Sequence, residues 1–374
     1  MVIAFYTDQM YLHGGIEKIL SQKLNYLADK TNYSIHLITS EQKGNNFCYE
    51  VSTKVNHKDL EVNYKRDTSY FSFTNLKKVP KHIIRLKQHL NKIKPDVLVV
   101  CNYAFDFYFI PFITKNIKTI KEFHSSRYFY EKEYNLSSKS QKMILNLNKW
   151  VEKRYTNLVV LNKDERKHYP SENVVIIPNF SASNTSLEGC LKKNIIIAAG
   201  RVAPIKQFDH LIQSWSIIGD KYPDWEVHIY GEGDFILTEK LKKLIKDLEV
   251  PNIYLKGATN YLDKKMQEAS IFAMTSTTEC FPMVLLESLN NGLPIVSYNC
   301  PYGPCNIITN NEDGVLVAHN NRDEFALKLS NLIDDKSLRN RMGKNGSKNV
   351  KRFNEEIIMQ QWLDLLEKKL LNDF

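Results

Sequence analysis

A chain of 374 residues is too long for one hydrophobic core and suits two domains. With 43% hydrophobic and 25% charged residues, its composition is that of a globular protein and argues against disorder along its length. The net charge of +9 is uneven: residues 1–180 hold 28 Lys/Arg against 17 Asp/Glu, while the remainder holds 23 against 25, so any attraction to an anionic partner belongs to the first half.

In chain order, "VIAFYT" reads at once as a strand, and with no basic segment before it no secretory signal is expected. "GGIEKILSQKLNYLADK" reads as a helix opened by Gly14 and Gly15. The pair makes either an ordinary tight strand–helix turn or an opening for a phosphate or sugar. "YSIHLITS" is a strand. "NLKKVPKHIIRLKQHLNKIKPD" puts Ile83, Ile84, Leu86, Leu90 and Ile93 on an apolar side, with Lys81, Arg85, Lys87 and Lys92 on the rest. It is either a packed surface helix with a solvated face or an element drawn to an anionic surface, membrane lipid or nucleic acid. No known nucleic-acid motif accompanies it. Val97 to Ile113 comes nearest to a membrane span but is broken by Asn102, Asp106 and Pro111, so a buried strand followed by a loop or helix is expected. "TIKEFH" is a strand ending in His124, a residue type that is as a rule structural but here stands where ligands bind. A long helical stretch through "QKMILNLNKWVEKRY", then "NLVVLN" and "NVVIIPN", complete this half; Asn179 fits a plain turn. Short apolar strands alternating with helices imply a parallel sheet covered on both faces.

The polar stretch 181–194 reads as a linker, after which the pattern restarts with "NIIIAAGRV", "WEVHIYGEG", "NIYLKG", "IFAMTS" and "PIVSYN" as strands between helices. The fold class is therefore α/β, with two doubly wound Rossmann-like domains over about 1–185 and 190–350, facing a central cleft, and a final helix at 354–374. The six cysteines, at 48, 101, 190, 280, 300 and 305, form no zinc spacing and are expected as free thiols in a reducing cytoplasm. No D-x-D triplet occurs, so no metal is expected.

In open α/β sheets ligands bind beyond the carboxyl ends of the strands. Three clusters stand there. Gly200, Arg201 and Lys206 follow one strand, two cations suited to phosphate unless Asp209 neutralises them. Gly231 and Gly233 follow another, as a plain turn or a close approach to ligand. "TECFPMVLLES" holds Glu279 and Glu287 with seven residues between them. Pro282 fits the first helical position there, leaving the amides from Met283 to Leu285 unpaired at the positive end of a helix. That end is a ready anion site, and carboxylates accept hydrogen bonds from sugar hydroxyls.

Taken in order, Gly14-Gly15, His124, Pro178-Asn179, Gly200-Arg201 with Lys206, Gly231 and Gly233, Glu279 with Glu287, and Gly303-Pro304 resemble the retaining GT-B glycosyltransferases of family four, the glycosyl transferases group 1. The resemblance spans nearly the whole chain and is strongest over residues 195–318. It implies that the second domain binds a nucleotide-sugar and the first an acceptor. It assigns Arg201 and Lys206 to the leaving diphosphate, helped by the amides near Met283 and Val284. Phe281 and Pro282 would line the donor site, Glu279 would hold the transferred sugar, Glu287 the ribose, and His124 would contact the sugar near its reacting carbon. The final helix, in this family, crosses back onto the first domain. No cofactor is implied. The donor is a substrate, a UDP-sugar being favoured over GDP-mannose, and the acceptor is lipid-linked or a saccharide. The expected setting is polysaccharide or lipopolysaccharide synthesis at the cytoplasmic face of an anionic membrane, without specific nucleic-acid binding; a non-catalytic nucleotide-sugar-binding protein is the alternative. Two departures are visible: Gln207 stands where the family often has Gly, and Asn306 where many members have Glu.

Overall fold

The computed structural model describes residues 1–69, 71–102, 104–128, 139–181 and 192–368. The chain divides into two compact units, Met1–Pro178 with Met359–Phe374, and Asn179–Ile358.

The first unit is built on a seven-stranded sheet of β1 (Val2–Thr7), β2 (Ser34–Thr39), β3 (Asn56–Asp59), β4 (Val97–Val100), β5 (Lys118–Glu122), β6 (Asn157–Val160) and β7 (Val174–Ile176). Their order is β3-β2-β1-β4-β5-β6-β7, parallel throughout. Central strands of such a sheet are covered on both faces, and Val97 to Val100 are accordingly all buried. β3, "NHKD", has no apolar residue and carries no strand signal; it pairs only at the sheet's edge, where polar side chains reach water. The basic helix, Val79–Ile93, buries His82, Leu86 and Leu90 while Ile84 is exposed. The interrupted apolar run resolves into β4 and the helix Asp106–Ile113, with Pro111 inside it.

The second unit has a six-stranded parallel sheet of β8 (Ile195–Ala199), β9 (Glu226–Tyr230), β10 (Ile253–Gly257), β11 (Ile271–Met274), β12 (Ile295–Tyr298) and β13 (Gly314–Val317), ordered β10-β9-β8-β11-β12-β13. Trp215, in the helix Phe208–Ile218, sits fully inside its core and donates from Nε1 to the Pro251 carbonyl at 2.7 Å. The last helix, Glu355–Glu367, runs across the boundary between the units, which falls after Ile358. Most of the linker segment lies outside the described residues.

Both sheets reverse direction of strand addition at one place, between β1 and β4 and between β8 and β11. At such a switch point the loops leaving the two central strands part and open a crevice beyond the strands' carboxyl ends. The motif residues are therefore located by topology before any side chain is considered.

Candidate active site

In the second unit the loops leaving β8 and β11 are tied together by threonines. Thr275 Oγ1 donates to the carbonyls of Lys206 (3.1 Å) and Gln207 (2.8 Å), and the Thr277 amide donates to the Ile205 carbonyl at 2.8 Å. Neither threonine carries a sequence signal. They bring Lys206, in the 3-10 turn Pro204–Lys206, against Glu279: Lys206 Nζ lies 2.6 Å from Glu279 Oε1. Both side chains are mostly but not wholly covered, at 20% and 14% exposure, so the pair is accessible to a ligand. The acid that meets Lys206 is thus Glu279, from the other loop, and not Asp209. Arg201 is exposed beside them in sequence.

Glycines shape this corner. A Cβ on Gly303 would stand 2.5 Å from the Glu279 Cβ and 2.9 Å from its carbonyl oxygen, so only glycine lets the "GP" loop lie against Glu279. A Cβ on Gly231 would meet the Gly200 carbonyl oxygen at 1.8 Å, and one on Gly233 the Val202 carbonyl oxygen at 2.1 Å. These two glycines serve a backbone-to-backbone approach between the β8 and β9 loops, sealed by the Val202 amide on the Glu232 carbonyl (2.9 Å) and the Asp234 amide on the Val202 carbonyl (3.0 Å). Gln207 is left-handed, with φ 44 and ψ 47, at the place where the family often has glycine. That conformation crowds a Cβ and suits glycine.

The helix after β11 runs from Met283 to Asn290. Pro282 is not its first helical residue: with ψ 113 it is extended and caps the helix from outside. The Leu285 amide is not free either, since it donates to the Pro282 carbonyl at 3.1 Å. Among the described residues the amides of Met283 and Val284 have no partner, which confines the anion-binding end to those two. Glu287 lies within the helix and is buried, and Phe281 is buried edge-on against Phe353 at 5.3 Å between ring centroids.

In the first unit, Gly14 caps the helix Gly15–Lys30 in extended conformation, and a Cβ there would strike the Glu17 carboxylate at 2.2 Å. That carboxylate is pushed up in pKa, first by burial and next by Asp8, against hydrogen bonds that pull it down. His124 follows β5 and is buried to 6% exposure, 3.4 Å by its Nε2 from Glu122 Oε2. Two cavities, of about 650 and 740 Å³, lie elsewhere, the first around His228 and Glu268, the second around His57 and Asp59; none of the expected site residues lines either. No group of three or more side chains able to hold a metal occurs among the described residues.

Residues 186–349 match the family described as glycosyl transferases group 1. Over 97% of its length the chain is 26% identical to 99% of an uncharacterized glycosyltransferase of Haemophilus influenzae. It is 27% identical to the poly(ribitol-phosphate) α-N-acetylglucosaminyltransferase of Staphylococcus aureus over 61% of this chain and 46% of that protein. Among solved structures, S. aureus TarM, crystallised as a mutant with fondaparinux, α-GlcNAc-glycerol and UDP, superposes with a TM-score of 0.80, covering 98% of this chain and 99% of TarM at 16% identity. WaaG, described as a glycosyltransferase of lipopolysaccharide biosynthesis, gives 0.73 over 98% and 100% at 15% identity.

Proposed function

We propose that this chain, whose residues 186–349 match glycosyl transferases group 1 and whose fold is that of TarM, is a retaining, metal-independent hexosyltransferase. It moves a hexose or N-acetylhexosamine from a nucleotide-sugar, a UDP-sugar by preference, to a lipid-linked or oligosaccharide acceptor in surface polysaccharide or lipopolysaccharide synthesis. The observation that carries this reading is the Lys206–Glu279 pair at the switch point of the second sheet, with Glu279 four residues before the helix whose first amides, of Met283 and Val284, have no partner among the described residues. A cation, a carboxylate and a helix end offer partners for a diphosphate and a polyol in one place.

In this reading the bond from the anomeric carbon to the donor phosphate breaks, and its electron pair leaves on the diphosphate. Lys206, Arg201 and the two amides meet that growing charge, the kind of fixed electrostatic stabilisation that lowers a barrier without reorganisation. Glu279 and Glu287 accept hydrogen bonds from the sugar and ribose hydroxyls. The acceptor hydroxyl passes its proton to an oxygen of the departing diphosphate as its own oxygen bonds to the anomeric carbon on the face the diphosphate left. His124 contacts the donor sugar near that carbon, a role drawn from the family resemblance. The first unit binds the acceptor. UDP is named among the molecules in the solved TarM complex, which supports a UDP-sugar for this chain.

The test is transfer measured with purified Lys206→Ala, Arg201→Ala and Glu279→Ala, each expected to lose activity by on the order of a hundredfold or more while keeping the wild-type circular dichroism. Full activity in all three sinks the assignment.

A further inference from the structure

Glu122 closes β5 and is almost wholly buried, yet only one of its carboxylate oxygens is satisfied. Oε1 takes the ammonium of Lys23, itself buried, from the helix Gly15–Lys30. Oε2 has no hydrogen bond and faces Nε2 of His124 at 3.4 Å. A buried carboxylate lone pair left open is costly, so such a vacancy calls for an explanation. Hydrogen bonds of this kind are often long before substrate arrives. Behind Lys23, its ammonium stands 4.2 Å from the centroid of the Trp362 ring, which belongs to the chain's last helix. Other ionisable groups at this carboxylate are the Cys101 thiol and Lys121, whose ammonium donates to the Glu122 carbonyl at 3.0 Å. Although burial pushes the Glu122 carboxyl up, Lys23 and His124 hold it well below the usual carboxylate range.

We propose that Glu122 is a positioning residue for His124: its Oε2 accepts a hydrogen bond from Nε2–H, which fixes the imidazole tautomer and leaves Nδ1 as the acceptor, while Lys23 and Trp362 hold the carboxylate in place. A neutral imidazole has one donor and one acceptor nitrogen, and the partner of one decides the other. The catalytic side of this inference rests on the reading of His124 as a sugar contact; the tautomer does not.

The test is nitrogen-15 NMR of the His124 ring in the full-length protein, assigned with a His124→Gln control. Wild type is expected as the Nε2–H tautomer. In Glu122→Gln the amide oxygen must face the Lys23 ammonium, so its NH2 faces Nε2 and the ring is expected to switch to Nδ1–H. Should that variant fail to fold around an unpaired Lys23, Lys23→Met with Glu122→Leu replaces the pair by apolar groups and is expected to give a mixture of tautomers. An Nδ1–H wild type, or a tautomer unmoved in the variants, overturns the proposal. Kinetically, Glu122→Gln is expected to lower kcat on the order of ten- to a hundredfold, as loss of a histidine's orienting partner does elsewhere, with donor KM little changed. Adding it to His124→Gln is expected to cost nothing more, and additive losses count against it. Full activity in His124→Gln alone removes the sugar-contact role but leaves the tautomer result to decide the geometry.

Discussion

Gln207 and Gly303 are the two residues whose backbone or size most directly sets the corner where Lys206 meets Glu279. At φ 44 a side chain without branching at Cβ is tolerated, a branched one is not. Gln207→Val is expected to lower stability by about 2 kcal/mol, in the range for strained backbone positions, and Gln207→Gly to stay within about 1 kcal/mol of wild type; urea unfolding of both checks this. Gly303→Ala, with its Cβ placed 2.5 Å from that of Glu279, is expected to displace the carboxylate and cut kcat while donor-free stability changes less. The sequence displayed Lys206, Glu279 and the glycines by their spacing. It could not display Thr275 and Thr277, because a threonine that bonds a distant carbonyl looks like any other. Nor could it display Glu122, which reads as the end of an ordinary strand until Lys23 is found opposite.

The helix Val79–Ile93 joins two properties that its sequence suggested separately. Its inner side is not purely apolar: His82 is fully buried and shares hydrogen bonds with the hydroxyls of Tyr6 (2.7 Å) and Tyr64 (3.0 Å). Burial pushes the imidazole from 6.5 down to about 3. The unfolded chain therefore binds a proton that the folded one refuses, and stability falls as pH drops from about 6.5 towards about 3. His82→Gln is expected to flatten that part of the profile, read by denaturation midpoints across the range. The outer side carries exposed Ile84 with Lys81 and Lys87, the residues behind the expectation of an anionic surface. If that side meets anionic lipid, each surface Lys contributes about 1 kcal/mol, and Lys81 and Lys87 changed together to Glu are expected to weaken sedimentation with phosphatidylglycerol vesicles. The strands were legible because parallel sheets are covered on both sides; β3 was not, because an edge strand of "NHKD" has no need of apolar residues.

Two sheets of seven and six parallel strands, each with its switch point at the motif loops, make the architecture the part most open to reading from sequence. The alternation of short apolar runs and amphipathic helices dictates it, and chain length requires it twice. The point where the chain leaves the second unit was less open: it falls inside the helix Glu355–Glu367, whose periodicity carries no mark of the change. No helix among the described residues is long and apolar enough to cross a membrane. If the donor is a UDP-sugar, UDP at a hundred times its Kd stabilises the protein by about 2.7 kcal/mol, and a thermal shift with UDP but not GDP is the expected outcome. Transfer is expected to continue in excess EDTA; complete loss restored by magnesium counts against a metal-independent reaction.

Lys206 and Glu279 neutralise one another. An arriving nucleotide-sugar offers each a replacement, phosphate for the lysine and hydroxyls for the glutamate. The spent nucleotide offers only the first, and its departure lets the two side chains rejoin. On the proposed function the pair acts as a ratchet on turnover, the contact that substrate entry undoes favouring product release; weak inhibition by product nucleotide is then expected, stronger in Glu279→Gln, as read by inhibition kinetics with UDP.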